Sequence, residues 1–314
     1  MWPELPVELA KADITGTADP RLPIGAPGCG DGVVESGEEC DGDDCCTDQC
    51  RRVIDEPRWR WAPLRRGVDG EAVRGGVVVD ALAAENSGAI VGGDFHLAGD
   101  VQVARIARWT GKSWTPLGDG LDARVLALAV AAKGGDVYAG GEFTRSGERE
   151  LSRIAKWDGK EWSDLGGGMN GAVRALAFVG TTLFAAGDFT VAGGQNALRI
   201  ARWDGKQWQA VGAGIDGTVR TLLVAEGLLY AGGDFRRAGD VLAPGVARWD
   251  GQNWQPVGDG ITGRVHALAL LGATLVAGGD FLTSGGGSVL SHIARFDGAT
   301  WTPLGEGGAS ARVA

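Results

Sequence analysis

The chain has 314 residues, of which 44% are hydrophobic, so it can bury a sizeable core in one or two domains. Its formal net charge of −10 argues against nucleic acid as a partner, because an acidic surface repels phosphate backbones. No apolar run reaches about 18 residues, which excludes a membrane-spanning helix. The 55 glycines, together with many short apolar runs, favour an all-β protein with tight turns.

Residues 1–28 are predicted to be an extended arm without a core of its own, because they carry prolines at Pro3, Pro6, Pro20, Pro23 and Pro27. We expect the arm to be a spacer from the cell surface. Alternatively, Val7–Leu9 or Asp13–Thr15 could add a strand to a neighbouring copy and so form a homo-oligomer. The residues after Met1 show neither the basic start nor the apolar stretch of a secretory signal.

Residues 29–50 contain all five cysteines of the chain, which are Cys29, Cys40, Cys45, Cys46 and Cys50. Their spacing lacks the paired C-x2-C of a structural zinc site. A chain with no other thiol suits an oxidising compartment, where two disulfides would stabilise a segment too small for its own core. The pairing stays open, and the fifth cysteine is either free or paired between chains. We therefore expect an extracellular or outer cell-surface location.

The stretch CGDGVVESGEECD within this segment resembles the opening of disintegrin domains and related cysteine-rich repeats of secreted bacterial proteins, notably from myxobacteria. The resemblance implies a Ca²⁺ site whose side-chain ligands are Asp31, Glu35, Glu38 and Asp41 and whose carbonyl ligands are Gly28 and Val33. The charges give a separate argument, because four carboxylates in a pinned loop repel one another unless a cation lies among them. The alternative is a solvated acidic turn. The disintegrin recognition loop is absent, so integrin binding is not implied.

Residues 51–314 repeat a blade-like unit. GGDF-type segments recur at intervals of 46 to 48 residues, with phenylalanines at Phe95, Phe143, Phe189, Phe235 and Phe281. A VRALAF-like strand precedes each segment, except in the more divergent first unit, and an IARWDG-like strand and a Trp-x-Pro-Leu-Gly-like strand follow it. Four short antiparallel strands per repeat of this length are typical of a β-propeller blade. Asp-Gly pairs such as Asp158-Gly159 predict two-residue type I′ turns between the third and fourth strands.

The Gly-Gly strand, the aromatic strand and the Trp strand together resemble kelch repeats over roughly residues 59–308. The resemblance implies a β-propeller but no particular activity. Five GGDF segments predict five blades. A sixth Trp strand at Trp61 leaves six blades as the alternative, if 51–64 and 309–314 combine into a partial blade.

Each repeat carries an acidic and a basic residue at fixed places. The acids are Asp94, Glu142, Asp188, Asp234 and Asp280, and the bases are Arg108, Lys156, Arg202, Arg248 and Arg295. A ring of carboxylates at the channel mouth could hold a cation. We favour a packing role instead, because a feature present in every blade usually serves the contacts between blades.

Other candidate site residues are few. His96, His266 and His292 break the repeat at different places in the blade, so we do not predict a shared metal site. The recurring tryptophans are predicted to be core residues, although an exposed one could stack on a sugar. The Gly-x-Gly-x-x-Gly stretches, such as 166–171, recur with the blade period and are interpreted as turns rather than a dinucleotide site.

The sequence favours a binding function over catalysis. We find no G-x-S-x-G or H-E-x-x-H motif, and the repeats have no cysteine for copper chemistry of the galactose-oxidase type. The expected function is binding or adhesion to a protein or glycan at the cell surface. One alternative is a structural subunit of an extracellular polymer, joined through the arm. Another is an extracellular carbohydrate-active hydrolase or lyase that uses two channel acids, such as Asp94 and Asp234.

Overall fold

The computed structural model describes residues 67–69, 77–85 and 88–305, which all lie in the unit Arg66–Ala314. The arm 1–28, the calcium and disulfide predictions for 28–50 and the partial blade predicted from 51–64 and 309–314 fall outside the described residues. Among the described residues, no helix is long and apolar enough to cross a membrane.

The described residues form five antiparallel four-stranded sheets, and the strands of each sheet follow chain order from the inner to the outer edge. This architecture confirms the predicted all-β propeller with four-stranded blades.

A short strand, β1 (Val68–Asp69), precedes blade 1. Blade 1 consists of β2 (Val78–Glu85), β3 (Gly88–Asp94), β6 (Ile106–Trp109) and β7 (Trp114–Pro116). Blade 2 consists of β8 (Val125–Val130), β9 (Val137–Gly141), β12 (Ile154–Trp157) and β13 (Trp162–Asp164). Blade 3 consists of β14 (Val173–Val179), β15 (Thr182–Gly187), β18 (Ile200–Trp203) and β19 (Trp208–Ala210). Blade 4 consists of β20 (Thr218–Ala225), β21 (Leu228–Asp234), β24 (Val246–Trp249) and β25 (Trp254–Pro256). Blade 5 consists of β26 (Ile261–Leu271), β27 (Thr274–Ser284), β28 (Ile293–Phe296) and β29 (Trp301–Pro303).

Small hairpins connect the second and third strands of the first four blades. These hairpins are β4 (Leu97–Ala98) with β5 (Val101–Gln102), β10 (Arg145–Ser146) with β11 (Arg149–Glu150), β16 (Val191–Ala192) with β17 (Gln195–Asn196), and β22 (Arg237–Ala238) with β23 (Val241–Leu242).

Tryptophans of the outer strands join each blade to the preceding one. The indole Nε1 of Trp162, Trp208, Trp254 and Trp301 donates a hydrogen bond of 2.7–3.1 Å to a backbone carbonyl of the preceding blade. The accepting residues are Leu117, Leu165, Val211 and Val257, respectively. All four indoles are buried, so the prediction that these tryptophans are core residues is confirmed.

The turns between the third and fourth strands differ from the predicted type I′. Asp158 pairs with Glu161, which leaves Gly159 and Lys160 as the two central residues. Gly159 has a φ of +99°, and Lys160 is not among the residues of positive φ. A type II′ turn has this combination, because it requires a positive φ only at its first central residue. Asp158 is therefore not a central residue of the turn as predicted, and its carboxylate accepts hydrogen bonds from the amides of Lys160 and Glu161.

Blades 1 and 5 each have one face that lacks the cover found on the other blades. Leu82 on β2 is 69% exposed, whereas Leu268, at the same place on β26, is 8% exposed. Val79 is also exposed, although its counterparts in the other blades are fully buried. On the opposite face, Ile293 of blade 5 is half-buried, whereas its counterparts in the first four blades are fully buried.

Gly67 and Val68 make contacts with the small hairpin of blade 1. In later blades, the loop that follows the fourth strand of the preceding blade makes the same contacts. The Gly67 carbonyl accepts a hydrogen bond from the Gly99 amide at 2.6 Å, as the Gly168 carbonyl does from the Gly193 amide at 2.8 Å. Val68 pairs with Ala98, just as Met169 pairs with Ala192 and Ile215 with Ala238. A fourth strand placed before Gly67 would produce this geometry, so the six-blade alternative stays a prediction.

The exposed face of blade 1 gives a test of the blade number. We expect Leu268→Ala to lower the free energy of unfolding by about 2–4 kcal/mol, because it leaves a cavity in a packed interface. Leu82→Ala should cost less than about 0.5 kcal/mol if its face is open. Denaturant unfolding measures both. An equal loss for Leu82→Ala and Leu268→Ala would mean that the Leu82 face is covered. If the midpoint of unfolding then depends on protein concentration, a second copy of the chain is the cover.

Candidate binding site on the inner strands

Every inner strand contains a one-residue β-bulge at the same place. In blade 1 the pairing register with β3 shifts between Val79 and Ala81, and the other four blades show the equivalent shift. A bulge re-aims a side chain and is common beside functional sites. We call the five residues within these shifts the bulge residues, and they are Asp80, Leu126, Arg174, Arg220 and His266.

The bulge position varies while its frame repeats. Each bulge residue follows a valine and precedes an alanine or a threonine, yet the bulge residues themselves are acidic, apolar or basic. Inner strands of consecutive blades contact one another, so these positions follow one another along the inner surface. A residue that differs between blades of equal geometry is not required by the packing that the blades share. The bulge residues are therefore candidates for ligand contact.

Three of the bulge residues are held by partners of opposite charge or by a hydrogen bond. Asp80 accepts two hydrogen bonds of 2.6 Å from Arg124 of blade 2, and this contact raises the pKa of Arg124. Arg174 donates to Asp188 at 2.7 Å, and the His266 Nε2 lies 3.0 Å from the Asp280 carboxylate. These contacts hold the inner surface of blades 1, 3 and 5 in place.

Asp188 connects blades 3 and 4. Its carboxylate also accepts a hydrogen bond from Thr218 of blade 4 at 2.9 Å. Burial raises the pKa of Asp188, but the hydrogen bonds from Arg174 and Thr218, together with the positive charges of Arg174 and Arg199, outweigh burial and lower the pKa below its ordinary value. Asp188 is therefore ionised at neutral pH and balances the charge of Arg174.

Arg220 of blade 4 breaks this pattern. The corresponding acid of its blade, Asp234, instead accepts a hydrogen bond from Arg264 of blade 5 at 3.1 Å. The Arg220 Nε is enclosed without an acceptor among the described residues. Burial lowers the pKa of Arg220, and the positive charges of Arg174 and Arg264 lower it further, which outweighs the opposite effect of the Asp234 and Asp188 charges. The inner surface of blade 4 thus carries a half-buried guanidinium that forms no direct ion pair with another described residue.

The repeated acids and bases mostly engage partners in their own or the adjacent blade. Asp94 lies 3.3 Å from Arg105, and the other paired acids are described above, while Glu142 is exposed. Four of the repeated bases contact Glu85, Asp136, Gln209 and Thr302 of their own blades at 2.7–3.4 Å, and Arg248 donates to Gln255. This arrangement supports the packing role over a cation-binding ring, and it gives the hydrolase alternative no pair of free carboxylates among the repeated acids.

The three histidines do not share a site. His266 contacts Asp280, the His292 Nδ1 lies 3.1 Å from the Gly279 carbonyl oxygen, and the His96 carbonyl accepts a hydrogen bond from the Val103 amide. Within the described ranges, no group of three His, Cys, Asp or Glu side chains is placed to hold a metal ion.

A groove of about 440 Å³ lies between blades 2 and 3, and Trp203 is part of its wall. Trp203 is half-buried, whereas its counterparts Trp109, Trp157 and Trp249 are buried. The other aromatic residues of the wall are Tyr138 and Phe178. Among the third-strand tryptophans, Trp203 is therefore the one best placed to stack on a sugar.

Comparison with known proteins agrees with this fold. A family model described as the Rax2 C-terminal beta propeller domain matches residues 110–227, which is less than half of the chain. The match and the five four-stranded sheets define the chain as a β-propeller protein. The comparison with curated proteins finds no match.

Three solved structures are similar in fold at low identity. The RRP9 WD40 repeats are 17% identical, with a TM-score of 0.43, over 68% of this chain and 62% of theirs. The structure of U3-55K is 17% identical, with a TM-score of 0.47, over 73% of this chain and 65% of its own. The GH74 enzyme of Niastella koreensis is 16% identical, with a TM-score of 0.46, over 75% of this chain and 38% of its own. Matches at this level carry no argument about function.

Proposed function

We propose that the protein is a binding protein that uses its propeller as a rigid scaffold and the bulge residues as its recognition surface. One observation carries this proposal: the residue at the bulge changes in chemical class from blade to blade, while the valine before it and the alanine or threonine after it repeat. Sites on packed strands hold ligand-contacting side chains more firmly than sites on loops do. Catalysis is disfavoured because the repeated acids of the GGDF-type segments, apart from the exposed Glu142, contact Arg, Thr or His side chains.

The setting of this function is proposed from the sequence. A location outside the cell follows from the cysteine pattern, and a calcium ion held by residues 28–41 would stabilise the segment before the propeller. The partner would be a protein or glycan at the cell surface. Native mass spectrometry with and without EDTA tests the calcium proposal, which predicts a mass gain of one Ca²⁺ that EDTA removes.

The recognition surface can be tested with printed arrays of peptides and glycans. The test variant is Leu126→Ser/Arg220→Gln/His266→Gln. The matched control, Arg295→Gln/Gln252→Ser/Ala299→Ser, removes the same positive charge at exposed positions of the third strand and the outer turns. We expect the probes bound by the wild-type protein and by the control to lose about tenfold or more of their signal with the test variant.

Two outcomes would contradict this proposal. Unchanged binding by the test variant would remove the bulge residues from recognition. Loss of glycan signal with Trp203→Ala, while the test variant still binds, would assign recognition to the groove between blades 2 and 3 instead.

A further inference from the structure

We propose that Arg220 binds a carboxylate of an acidic peptide segment in a partner protein. This inference rests on the proposed function, because it names the ligand chemistry of one bulge residue. Nothing in the repeat itself requires a cation at this place, since the equivalent residue is Leu126 in blade 2 and Asp80 in blade 1.

Blades 3, 4 and 5 differ in how the bulge residue meets the repeated acid of its own blade. In blades 3 and 5 the cationic or imidazole bulge residue contacts the acid of its own GGDF segment, through Arg174–Asp188 and His266–Asp280. In blade 4 the equivalent acid, Asp234, binds Arg264 across the blade interface instead. Arg220 is therefore excluded from the contact that its own blade would otherwise provide.

The surroundings of Arg220 leave a positive charge unbalanced. The pairs Arg174–Asp188 and Arg264–Asp234 are each neutral overall, so Arg220 adds one net positive charge between them. An enclosed donor of a charged group without an acceptor is costly to the fold. A ligand that brings an anionic oxygen to this guanidinium would remove that cost.

Carboxylate chemistry fits this position better than phosphate. The planar guanidinium offers parallel N–H donors that match the two oxygens of a carboxylate. A phosphate brings more negative charge than a single carboxylate towards Asp188 and Asp234, which repel it. A glutamate or aspartate side chain also carries its carboxylate on a flexible stem. It can reach a half-buried guanidinium more easily than a carboxylate fixed to a sugar ring.

The experiment measures the fluorescence anisotropy of a labelled hexaglutamate peptide with the full chain, using hexaglutamine as the uncharged control. We expect binding of hexaglutamate only, weakened about tenfold or more by Arg220→Gln. Arg220→Gln should unfold at the wild-type temperature or above it, because the substitution removes an enclosed charged donor that has no acceptor among the described residues.

Two substitutions at the neighbouring pair should act in opposite directions. Asp234→Asn removes a carboxylate and frees Arg264, so it should tighten hexaglutamate binding about threefold or more. Arg264→Gln frees Asp234 to pair with Arg220, so it should weaken binding without touching the Arg220 side chain. A general charge effect of the surface would not require Arg220 for either change. The double variant Arg264→Gln/Arg220→Gln should therefore bind no more weakly than Arg220→Gln alone.

Several results would overturn the inference. Equal binding by wild-type protein and Arg220→Gln would show that Arg220 does not take part in recognition. Binding of hexaglutamine would show that the negative charge of the peptide is not required. Direct binding of inorganic phosphate or oligogalacturonate, with no hexaglutamate binding, would contradict the acidic peptide. If the triple bulge variant loses its array ligands while Arg220→Gln keeps hexaglutamate, this inference fails and the proposed function stands. If neither variant changes binding, both fail.

Discussion

Trp162→Ala should lower the free energy of unfolding by about 3–5 kcal/mol. The Trp162 side chain is 2% exposed, and its Nε1 donates to the Leu117 carbonyl oxygen of blade 1 at 2.9 Å. Its ring also packs against Trp157, with 5.5 Å between ring centroids. Alanine would therefore leave a large cavity at the interface of blades 1 and 2, and among the described residues the Leu117 carbonyl would keep only its hydrogen bond from the Gly120 amide.

Denaturant unfolding followed by circular dichroism measures this loss. Trp162→Phe is the matched control, because it keeps most of the buried volume and removes the indole donor. Trp162→Phe should lower the free energy of unfolding by about 1–2 kcal/mol, which is clearly less than the loss for alanine. A loss below about 1 kcal/mol for Trp162→Ala would mean that this interface contributes little to stability.

Gly233→Ala should lower the free energy of unfolding by about 3 kcal/mol or more. A methyl group at Gly233 would lie 2.1 Å from the Thr218 carbonyl oxygen and 3.0 Å from the Val219 Cα. Both atoms belong to the backbone of β20, which is paired with β21 at this point, so neither can move away without breaking the sheet. The other four blades also have glycine at this place, with a backbone oxygen at 2.0–2.2 Å.

Gly232→Ala is the matched control for that substitution. A methyl group at Gly232 would meet side-chain atoms of Thr221 and Val265 at 2.8 and 2.9 Å, and side chains can shift. Blade 3 already carries Ala186 at the equivalent position, where it is fully buried. We therefore expect Gly232→Ala to cost about 1 kcal/mol. Equal losses for the two variants would show that the backbone contact at Gly233 is not the cause.

The repeat predicted most of the fold because each blade buries the same residues. Four short strands, a Gly-Gly pair and a Trp strand must appear in every unit for neighbouring sheets to pack, so the pattern is legible in one sequence. The hairpin turn was predicted less well. The Asp-Gly pair predicts a type I′ turn with both residues at its centre. In the structure Asp158 precedes the two central residues and accepts a hydrogen bond from the Lys160 amide, and Gly159 is the first central residue.

The candidate site was largely missed from the sequence, although a signal was present. His266 was recognised as a departure from the repeat, and an alignment of the five inner strands shows that its whole column varies. This variable position becomes a candidate for ligand contact only because it lies at a β-bulge. The pairing register reveals the bulge, and the residue pattern does not.

The sequence by itself determined the all-β class, the period of the blades and the residues that each blade buries, because these follow from local patterns that recur every 46 to 48 residues. Only the tertiary structure decided which charges are balanced. Asp234 pairs with Arg264 rather than with Arg220 because ion pairs depend on which side chains meet across a blade interface. Residues 30 or more positions apart meet there, and no periodic pattern encodes that choice.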